Sequence, residues 1–283
     1  MAVKKRVVHG LCFAVALLFS VTAMFPFLFV VVNAFVPGEA LFANYGPLLT
    51  GAGRMKMEWL PVSVSLENYA EVLLLTSDYL VKFWISVALT FGIVAGQIVV
   101  SCLAGYGFTK FRFPGRSILL YLIIILMMMP IQVSLVPQYL VLDWMNLLGS
   151  YWALIFPGWF AAFGIFLMTQ IYQRFPDDIL EAAQVDGAGE LRKFWNIVLP
   201  NSLSGICSLM ILSFIDNWNM VEQPLIFLQD YRMYPLSVFL SFINEDNLGI
   251  AFACGTLAIL PPLILFLFFK DAMVKGIEYA SVK

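Results

Sequence analysis

Charged residues are scarce in this sequence. They make up 12% of the 283 residues, whereas 61% are hydrophobic. A soluble domain of this length has about a quarter of its residues charged, so this scarcity excludes an ordinary soluble protein. Several uncharged runs reach the ~20 residues that an α-helix needs to cross a bilayer. We therefore predict an all-α polytopic membrane protein, because a backbone in lipid must satisfy its own hydrogen bonds.

Residues that carry catalytic or metal chemistry are also scarce. The single histidine, His9, follows a basic cluster near the start and forms no nucleophilic constellation. No Gly-Lys pair occurs, so the chain lacks the phosphate-binding loop G-x-x-x-x-G-K-[ST]. The cysteines lie in apolar runs, without the spacing of metal ligands or of a redox pair: Cys12, Cys102, Cys207 and Cys254. The sequence predicts neither an enzyme nor a metal site, and no cofactor on this chain.

Six apolar segments define one predicted transmembrane domain, residues 1–283. The predicted spans are residues 11–32, 83–108, 118–138, 151–172, 201–228 and 248–269. The uncharged run Val7–Gly38 exceeds the core of a signal peptide, about 7–15 residues, so we expect a retained helix. Prolines inside the third, fourth and sixth spans predict kinked helices around a cavity. In the second span, Gly92-x-x-x-Gly96 permits close helix contact, although glycine as filler explains it equally well.

Positive charge predicts the orientation of these spans. Of the 16 lysines and arginines, only four fall in the outer segments if the N-terminus is cytoplasmic: Arg54, Lys56, Lys82 and Arg232. Because basic residues concentrate on the cytoplasmic side, both termini are predicted to be cytoplasmic. The same rule places residues 34–80 outside as an extracytoplasmic loop. It places residues 174–200, called here the charged segment, in the cytoplasm.

The charged segment predicts two short helices. Asp178-Ile-Leu-Glu181 has the form of a capping box, so a helix should begin there and run to about Asp186. Gly187 can then adopt the left-handed conformation that ends it. A second helix would present one apolar face and stop at Pro200 (Leu191, Phe194, Trp195, Val198 and Leu199). The residues alone leave two readings open: a helix that inserts into a partner's groove, or a solvated loop.

Several stretches resemble the permease subunits of ABC importers, in the branch that carries carbohydrates. The most specific is Glu181-Ala182-Ala183 followed by Asp186-Gly187-Ala188 and Leu199-Pro200, which resembles the EAA signature. Four further stretches agree: "SLENYAEVLL" (65–74), "AGYGFTKFRFPGR" (104–116), "DNWNMVEQPLIFL" (216–228) and "FLFFKDAMVKGIEYASVK" (266–283). The resemblance extends over nearly the whole chain.

This resemblance implies the fold of a type I importer permease, with six spans and a cytoplasmic coupling helix between spans 4 and 5. It implies a heterodimer with a second permease subunit in the bacterial cytoplasmic membrane, among lipids and without nucleic acid. Two ATPase subunits would bind ATP and Mg, and an extracytoplasmic solute-binding protein would deliver a sugar. The ATPase would contact the EAA residues (Glu181, Ala182, Ala183, Asp186 and Gly187) and the C-terminal tail (Lys275 and Gly276).

The residues suggest where substrate would meet the chain, and the resemblance suggests where the binding protein would. A substrate path is expected along the fifth span, where ionisable groups usually face a cavity or a partner; its candidates are Asp216, Asn217, Trp218, Asn219 and Glu222. These residues could equally serve helix packing. The outer loop would contact the binding protein through Tyr231, Tyr234, Asn244, Glu245 and Asp246. A plain connecting loop with interfacial aromatics is the alternative there.

Two other functions stay open at this level. A secondary transporter driven by an ion gradient would also be polytopic, but such proteins usually show internal repeats and intramembrane ion sites. The sequence has no clear repeat, and Asp216 with Glu222 is thin evidence for an ion site. Within ABC importers, glycerol-phosphate and other polyol carriers share this permease pattern, so the substrate is not predicted.

Overall fold

The computed structural model describes residues 2–49, 63–242 and 248–281, and within those ranges the regular structure is entirely helical. The α-helices are α1 (Ala2–Ala34), α2 (Gly38–Leu49), α3 (Glu67–Ala70), α4 (Ser77–Lys110), α5 (Arg116–Met128), α6 (Ile131–Trp144), α7 (Trp152–Gly158), α8 (Ala162–Gln173), α9 (Asp177–Val185), α10 (Glu190–Lys193), α11 (Leu199–Asn201), α12 (Leu203–Trp218), α13 (Glu222–Phe227), α14 (Leu236–Leu240) and α15 (Leu248–Ser281). Single π-helical turns cover Glu71–Leu75 and Phe194–Val198, and Tyr231–Met233 is a 3₁₀ turn.

Four helical segments are long and apolar enough to cross a membrane by themselves: His9–Ala34, Asp78–Lys110, Trp152–Gln173 and Leu248–Asp271. Two more spans are present if each of two bent helix pairs counts as one. These pairs are Arg116–Met128 with Ile131–Trp144, bent by 109°, and Glu190–Asn201 with Leu203–Trp218, bent by 74°. Four of the six predicted spans therefore correspond to these segments, and the third and fifth do so only if the bent pairs are counted. The second bent pair begins at Glu190, within the charged segment, rather than at residue 201 as predicted.

Proline explains the sharper break. The third predicted span, residues 118–138, ends as a helix at Met128, and Pro130 has a non-helical ψ of 138° before α6 begins. Proline lacks the N–H that the helix would use and disfavours helical geometry in the residue before it. Pro137, Pro157, Pro261 and Pro262 lie inside helices. The fifth predicted span, residues 201–228, is also interrupted, because α12 ends at Trp218 and α13 begins at Glu222.

Contacts divide the chain into two compact units. The first comprises Met1–Val81 and Leu240–Leu260. In it, the end of α1 and α2 pack around Leu41, which is fully buried. The Asn68 amide donates to the carbonyls of Ala34 and Val36, at 3.1 and 2.8 Å. Part of the predicted outer loop, residues 34–80, is therefore ordered helix rather than irregular chain.

The second unit comprises Lys82–Phe239 and Pro261–Lys283, and it contains the charged segment. One of its apolar clusters surrounds Met168 and Tyr172 of α8, both fully buried. Another surrounds Ile93 of α4 and Phe227 of α13. At the cluster around Met168, α4 and α8 approach very closely: a Cβ on Gly105 of α4 would lie 2.8 Å from Met168 Cβ. The prediction of one transmembrane domain, residues 1–283, stays a prediction.

Candidate functional site: the charged segment and a polar cavity

The helix with the Glu-Ala-Ala run is α9; its last helical residue is Val185, and Gly187 makes the left-handed turn after it that the sequence predicts. Gly187 has a φ of 82°, in the left-handed region that costs residues with a side chain about 1–2 kcal/mol. The Ala188 N–H donates to the Ala183 carbonyl at 2.9 Å, and the Gly187 N–H donates to the Gln184 carbonyl at 3.0 Å. This pair of bonds is a Schellman motif, which fixes the direction in which the chain leaves α9.

The start of α9 differs from the predicted capping box. Pro176, with a ψ of 127°, occupies the N-cap position, and no side chain caps the helix. The helix begins at Asp177, so Asp178 lies within the first turn and its side chain cannot act as the cap. Both acids still favour this end of the helix, because negative charge is stabilised near a helix N-terminus.

The two faces of α9 have different surroundings. Leu180 is 7% exposed and belongs to the apolar cluster around Tyr172, and Ala183 is half-buried. On the other side Val185 is 88% exposed, and Ala182 is also exposed. Glu181, Asp186 and Gly187 are exposed as well. Of the five predicted coupling residues, Ala183 alone is partly covered by the chain itself.

The helical stretch after Gly189 is less regular than predicted. The face that was expected to be wholly apolar is split, with Phe194 and Val198 buried but Leu191 and Trp195 exposed. A π-helical turn over Phe194–Val198 changes the period, so residues spaced for an α-helix no longer share one side. Pro200 also does not end the helix, since α11 continues through Asn201 before the 74° bend.

An ion pair connects the start of α9 to the end of α4. The Lys110 Nζ lies 2.5 Å from the Asp177 Oδ1 and donates to the Phe175 carbonyl at 3.2 Å. The Lys110 side chain is 10% exposed, whereas that of Asp177 is 73% exposed. The hydrogen bond and the positive charge of Lys110 lower the pKa of the Asp177 carboxyl.

A second polar cluster lies at the start of α10. The Tyr106 hydroxyl donates to Glu190 Oε2 at 2.9 Å, and Lys193 Nζ lies 2.5 Å from Glu190 Oε1. Lys193 also donates to the side-chain carbonyl of Gln184, at 3.3 Å. The Lys193 side chain is 6% exposed, so this buried ammonium is held by two oxygens. A cavity of about 300 Å³ beside these groups is also lined by Glu181.

A second cavity, of about 280 Å³, lies among α4, α6, α7, α8, α12 and α13. Polar groups from several helices line it: Gln97, Gln138, Ser213, Asp216, Asn217 and Gln223. The Asn217 amide donates to the Ser213 carbonyl at 2.7 Å and approaches Gln97 Oε1 at 3.5 Å. Aromatic and aliphatic side chains such as Phe160 and Leu154 line the remainder. This mixture suits a ligand that has hydroxyl groups and apolar faces.

The predicted substrate-path residues do not all reach this cavity. Asp216 and Asn217 line it. Trp218 is 4% exposed and stacks on Phe214 with ring centroids 5.5 Å apart, so its surroundings are those of a packing residue. Asn219 is exposed and donates to its own helix, at the Ile215 carbonyl. Glu222 accepts a 2.8 Å hydrogen bond from Gln132.

The outer candidates fall partly inside the described residues. Tyr231 and Tyr234 contact each other edge to face, with centroids 5.9 Å apart. Lys82, 3% exposed, donates to the Tyr231 carbonyl and lies 4.5 Å from the centroid of its ring. Asn244, Glu245 and Asp246 lie outside the described residues. Lys275 and Gly276 lie within α15.

Several groups of this site have no signal in the local sequence. Gln97, Gln138 and Gln223 lie in predicted spans, but nothing in their local pattern separates a cavity-lining amide from a packing one. Tyr106 and Lys110 fall in the stretch 104–116 that supports the resemblance, yet their partners are far away in sequence. Only the fold brings them to the charged segment.

These features define a class: a helical membrane protein with several spans, a polar cavity among its helices and an exposed helix that ends in a Schellman motif on the charged segment. The chain belongs to the family of binding-protein-dependent transport system inner membrane components, which residues 88–279 match. That match confirms the resemblance to ABC importer permeases.

Individual relatives agree with this assignment. The sn-glycerol-3-phosphate transport system permease protein UgpE of Yersinia pestis is 34% identical over 197 residues, covering 68% of this chain and 70% of UgpE. The arabinooligosaccharides transport system permease protein AraQ of Halalkalibacterium halodurans is 26% identical over 264 residues, 92% of this chain and 91% of AraQ. A chain of a bacterial ABC transporter involved in import of the acidic polysaccharide alginate shares the fold, with a TM-score of 0.80 at 20% identity, covering 93% of this chain and 96% of that one.

Proposed function

We propose that this chain is the permease subunit of an ATP-driven importer that moves a sugar or oligosaccharide inward across a bacterial cytoplasmic membrane. It would pair with a second permease subunit, two ATPase subunits that bind ATP and Mg, and an extracytoplasmic solute-binding protein. The chain itself is not an enzyme. Membership of the binding-protein-dependent transport family supports this assembly.

The geometry of α9 is the observation that carries the proposal. A helix that transmits force to a partner needs a free face and a firm attachment to its own chain. Val185, Ala182 and Glu181 provide an exposed face. Leu180, the Asp177 ion pair with Lys110 and the Schellman motif at Gly187 hold the other side and both ends. We assign the exposed face to the ATPase.

The mechanism follows from coupled equilibria. ATP brings the two ATPase subunits together, which displaces α9 on each permease. The spans then switch the cavity between inward and outward access. ATP can shift this equilibrium only by its differential affinity for the two states, so every contact that links α9 to the spans contributes to coupling.

The cavity favours a neutral polyhydroxyl substrate. Its polar lining consists of amides, a serine hydroxyl and the Asp216 carboxylate, and no lysine or arginine is among the described residues that line it. Sugar hydroxyls pair well with amides, whereas a phosphate ester needs cationic partners. The 34% identity to a glycerol-3-phosphate permease is the specific observation for the other substrate class, a polyol phosphate.

Uptake into proteoliposomes tests the proposal. The full complex, co-expressed with its genomic neighbours, is reconstituted with ATP on the ATPase side and offered labelled oligosaccharides or sn-glycerol 3-phosphate in separate samples. Vanadate should abolish uptake and a protonophore should leave it unchanged. Uptake that survives vanadate and is lost with the protonophore would instead establish an ion-driven secondary transporter.

A further inference from the structure

Two residues of α4 contact opposite ends of the α9 region. Tyr106 and Lys110 lie one helical turn apart, so their side chains project from the same face of α4. Lys110 holds Asp177, the first residue of α9. Tyr106 holds Glu190, the first residue of α10. The two attachment points therefore bracket α9 and the Gly187 turn.

The Tyr106 attachment extends back to α9 through polar contacts. Glu190 uses one carboxylate oxygen for Tyr106 and the other for Lys193. Lys193 in turn donates to Gln184 near the end of α9. Tyr106 is 5% exposed and the Lys193 side chain 6%, whereas the Glu190 side chain is 48% exposed, so the two donors are shielded from water while their shared acceptor is half exposed. Hydrogen bonds to charged groups in such surroundings are among the stronger ones in proteins.

Apolar packing stiffens the same connection. The Tyr106 ring lies 5.1 Å from the Phe194 ring and 6.3 Å from the Tyr172 ring, centroid to centroid. Leu180 of α9 belongs to this cluster. Closely packed interiors transmit displacement rather than absorb it.

We propose that Tyr106 and Lys110 are positioning residues that attach the charged segment to α4, so that α4 and the charged segment move as one body. The proposal rests on the proposed function, since it names the span that receives the force applied at α9. Two attachments separated by a turn of α4 also prevent α9 from pivoting about either one. Displacement of α9 is thereby delivered to α4, whose residue Gln97 lines the polar cavity.

Coupling efficiency tests this attachment. Tyr106→Phe removes the hydroxyl and keeps the ring against Phe194, and Lys110→Met leaves an Asp177 that is already largely solvated, so both variants should fold. We expect substrate moved per ATP hydrolysed to fall about tenfold in each, with hydrolysis retained. Matched controls are Tyr121→Phe and Lys270→Met, whose side chains are exposed and lie outside these contacts. Both controls should keep the wild-type ratio.

A distance measurement shows whether the charged segment moves together with α4 or whether Tyr106 and Lys110 only stabilise the fold. Spin labels are placed at Val99 of α4 and Arg192 of α10, both exposed, in a complex whose permease cysteines are replaced by alanine. The distance between them should be equal in nucleotide-free and ATP-trapped complexes. It should change between these states once Tyr106→Phe and Lys110→Met are combined.

The outcomes distinguish two failures. The attachment is overturned if the spin-label distance changes between the two nucleotide states while Tyr106 and Lys110 are intact. It is also overturned if Tyr106→Phe and Lys110→Met move as much substrate per ATP hydrolysed as the wild type. Wild-type uptake that does not depend on ATP overturns the proposed function instead, and the spin-label distance still reports on whether α4 and α10 move together.

Discussion

The indole of Trp159 occupies the space that a side chain on Gly96 would need. A Cβ built on Gly96 would lie 1.9 Å from Trp159 Cδ1, and the indole N–H donates to the Gly92 carbonyl at 3.0 Å. The Gly92-x-x-x-Gly96 pattern is thus a real close contact, although the contact is made by a tryptophan rather than by a second backbone. Of the two glycines, Gly96 is the one that requires the absence of a side chain, since Ile155 lies 3.7 Å from a Cβ on Gly92.

Gly96→Ala should therefore destabilise the protein. The tryptophan must move from its pocket and lose its hydrogen bond, and overpacking of this kind costs about 1–3 kcal/mol. Thermal unfolding in detergent should show a lower midpoint for Gly96→Ala. Gly107→Ala on the same helix is the matched control, because nothing lies within 4 Å of a Cβ there. Equal midpoints for the two variants would contradict this account.

Gly187→Ala tests the turn after α9. The space around Gly187 is open, so only the backbone conformation with its φ of 82° opposes a side chain. A left-handed alanine costs about 1–2 kcal/mol, which should loosen the Schellman motif and reduce uptake. Gly189→Ala provides the control, because Gly189 has a φ of −69° and equally open surroundings. Gly187→Pro should abolish uptake outright while the protein still inserts. Wild-type uptake by Gly187→Pro would remove the turn from the mechanism.

Asn217→Ala tests the polar cavity. Asn217 lines the cavity and bonds Ser213, while its neighbour Asn219 is exposed and bonds only within its own helix. We expect Asn217→Ala to raise the KM for uptake about tenfold or more and Asn219→Ala to leave it unchanged. The measurement is initial uptake rate against substrate concentration in proteoliposomes. The cavity assignment fails if both variants behave alike.

The ion pair at the start of α9 should depend on pH in a defined direction. Lys110 lowers the pKa of Asp177 in the folded protein, so the folded state binds fewer protons at this group than the unfolded state. Its stabilisation is complete above the unfolded pKa of about 3.9 and is lost as pH falls through the folded pKa. The difference in unfolding temperature between wild type and Asp177→Asn should therefore be constant from about pH 6 to 8 and shrink below about pH 4. A difference that persists undiminished at pH 3 would show that charge is not its cause.

Local patterns in the sequence predicted the features that depend on neighbouring residues. The left-handed turn at Gly187 follows from a glycine after a helical run, and the four segments long enough to span a membrane follow from hydropathy. The break at Pro130 was expected only as a kink, because proline predicts a disruption but not its angle. The capping box failed because the geometry at Pro176 overrides a favourable spacing of acids.

Contacts between distant residues could not be predicted in this way. Tyr106 and Glu190 are 84 positions apart, and Gln97 and Asn217 are 120 apart. Their pairing depends on how α4 packs against its neighbours, which no local period encodes. The π-helical turn over Phe194–Val198 likewise reflects packing of Phe194 and Val198 into the cluster around Tyr172, and it redistributes the predicted apolar face.

Site-specific photocrosslinking tests most directly whether α9 contacts the ATPase. p-Benzoylphenylalanine is introduced at Val185, 88% exposed on α9, and separately at Tyr121, 68% exposed on α5, in the full complex in native membranes. Our account predicts an adduct with the ATPase subunit from Val185 and none from Tyr121. An absent ATPase adduct at Val185, or equal yields at the two positions, would contradict the assignment of α9 as the element that couples ATP hydrolysis to transport.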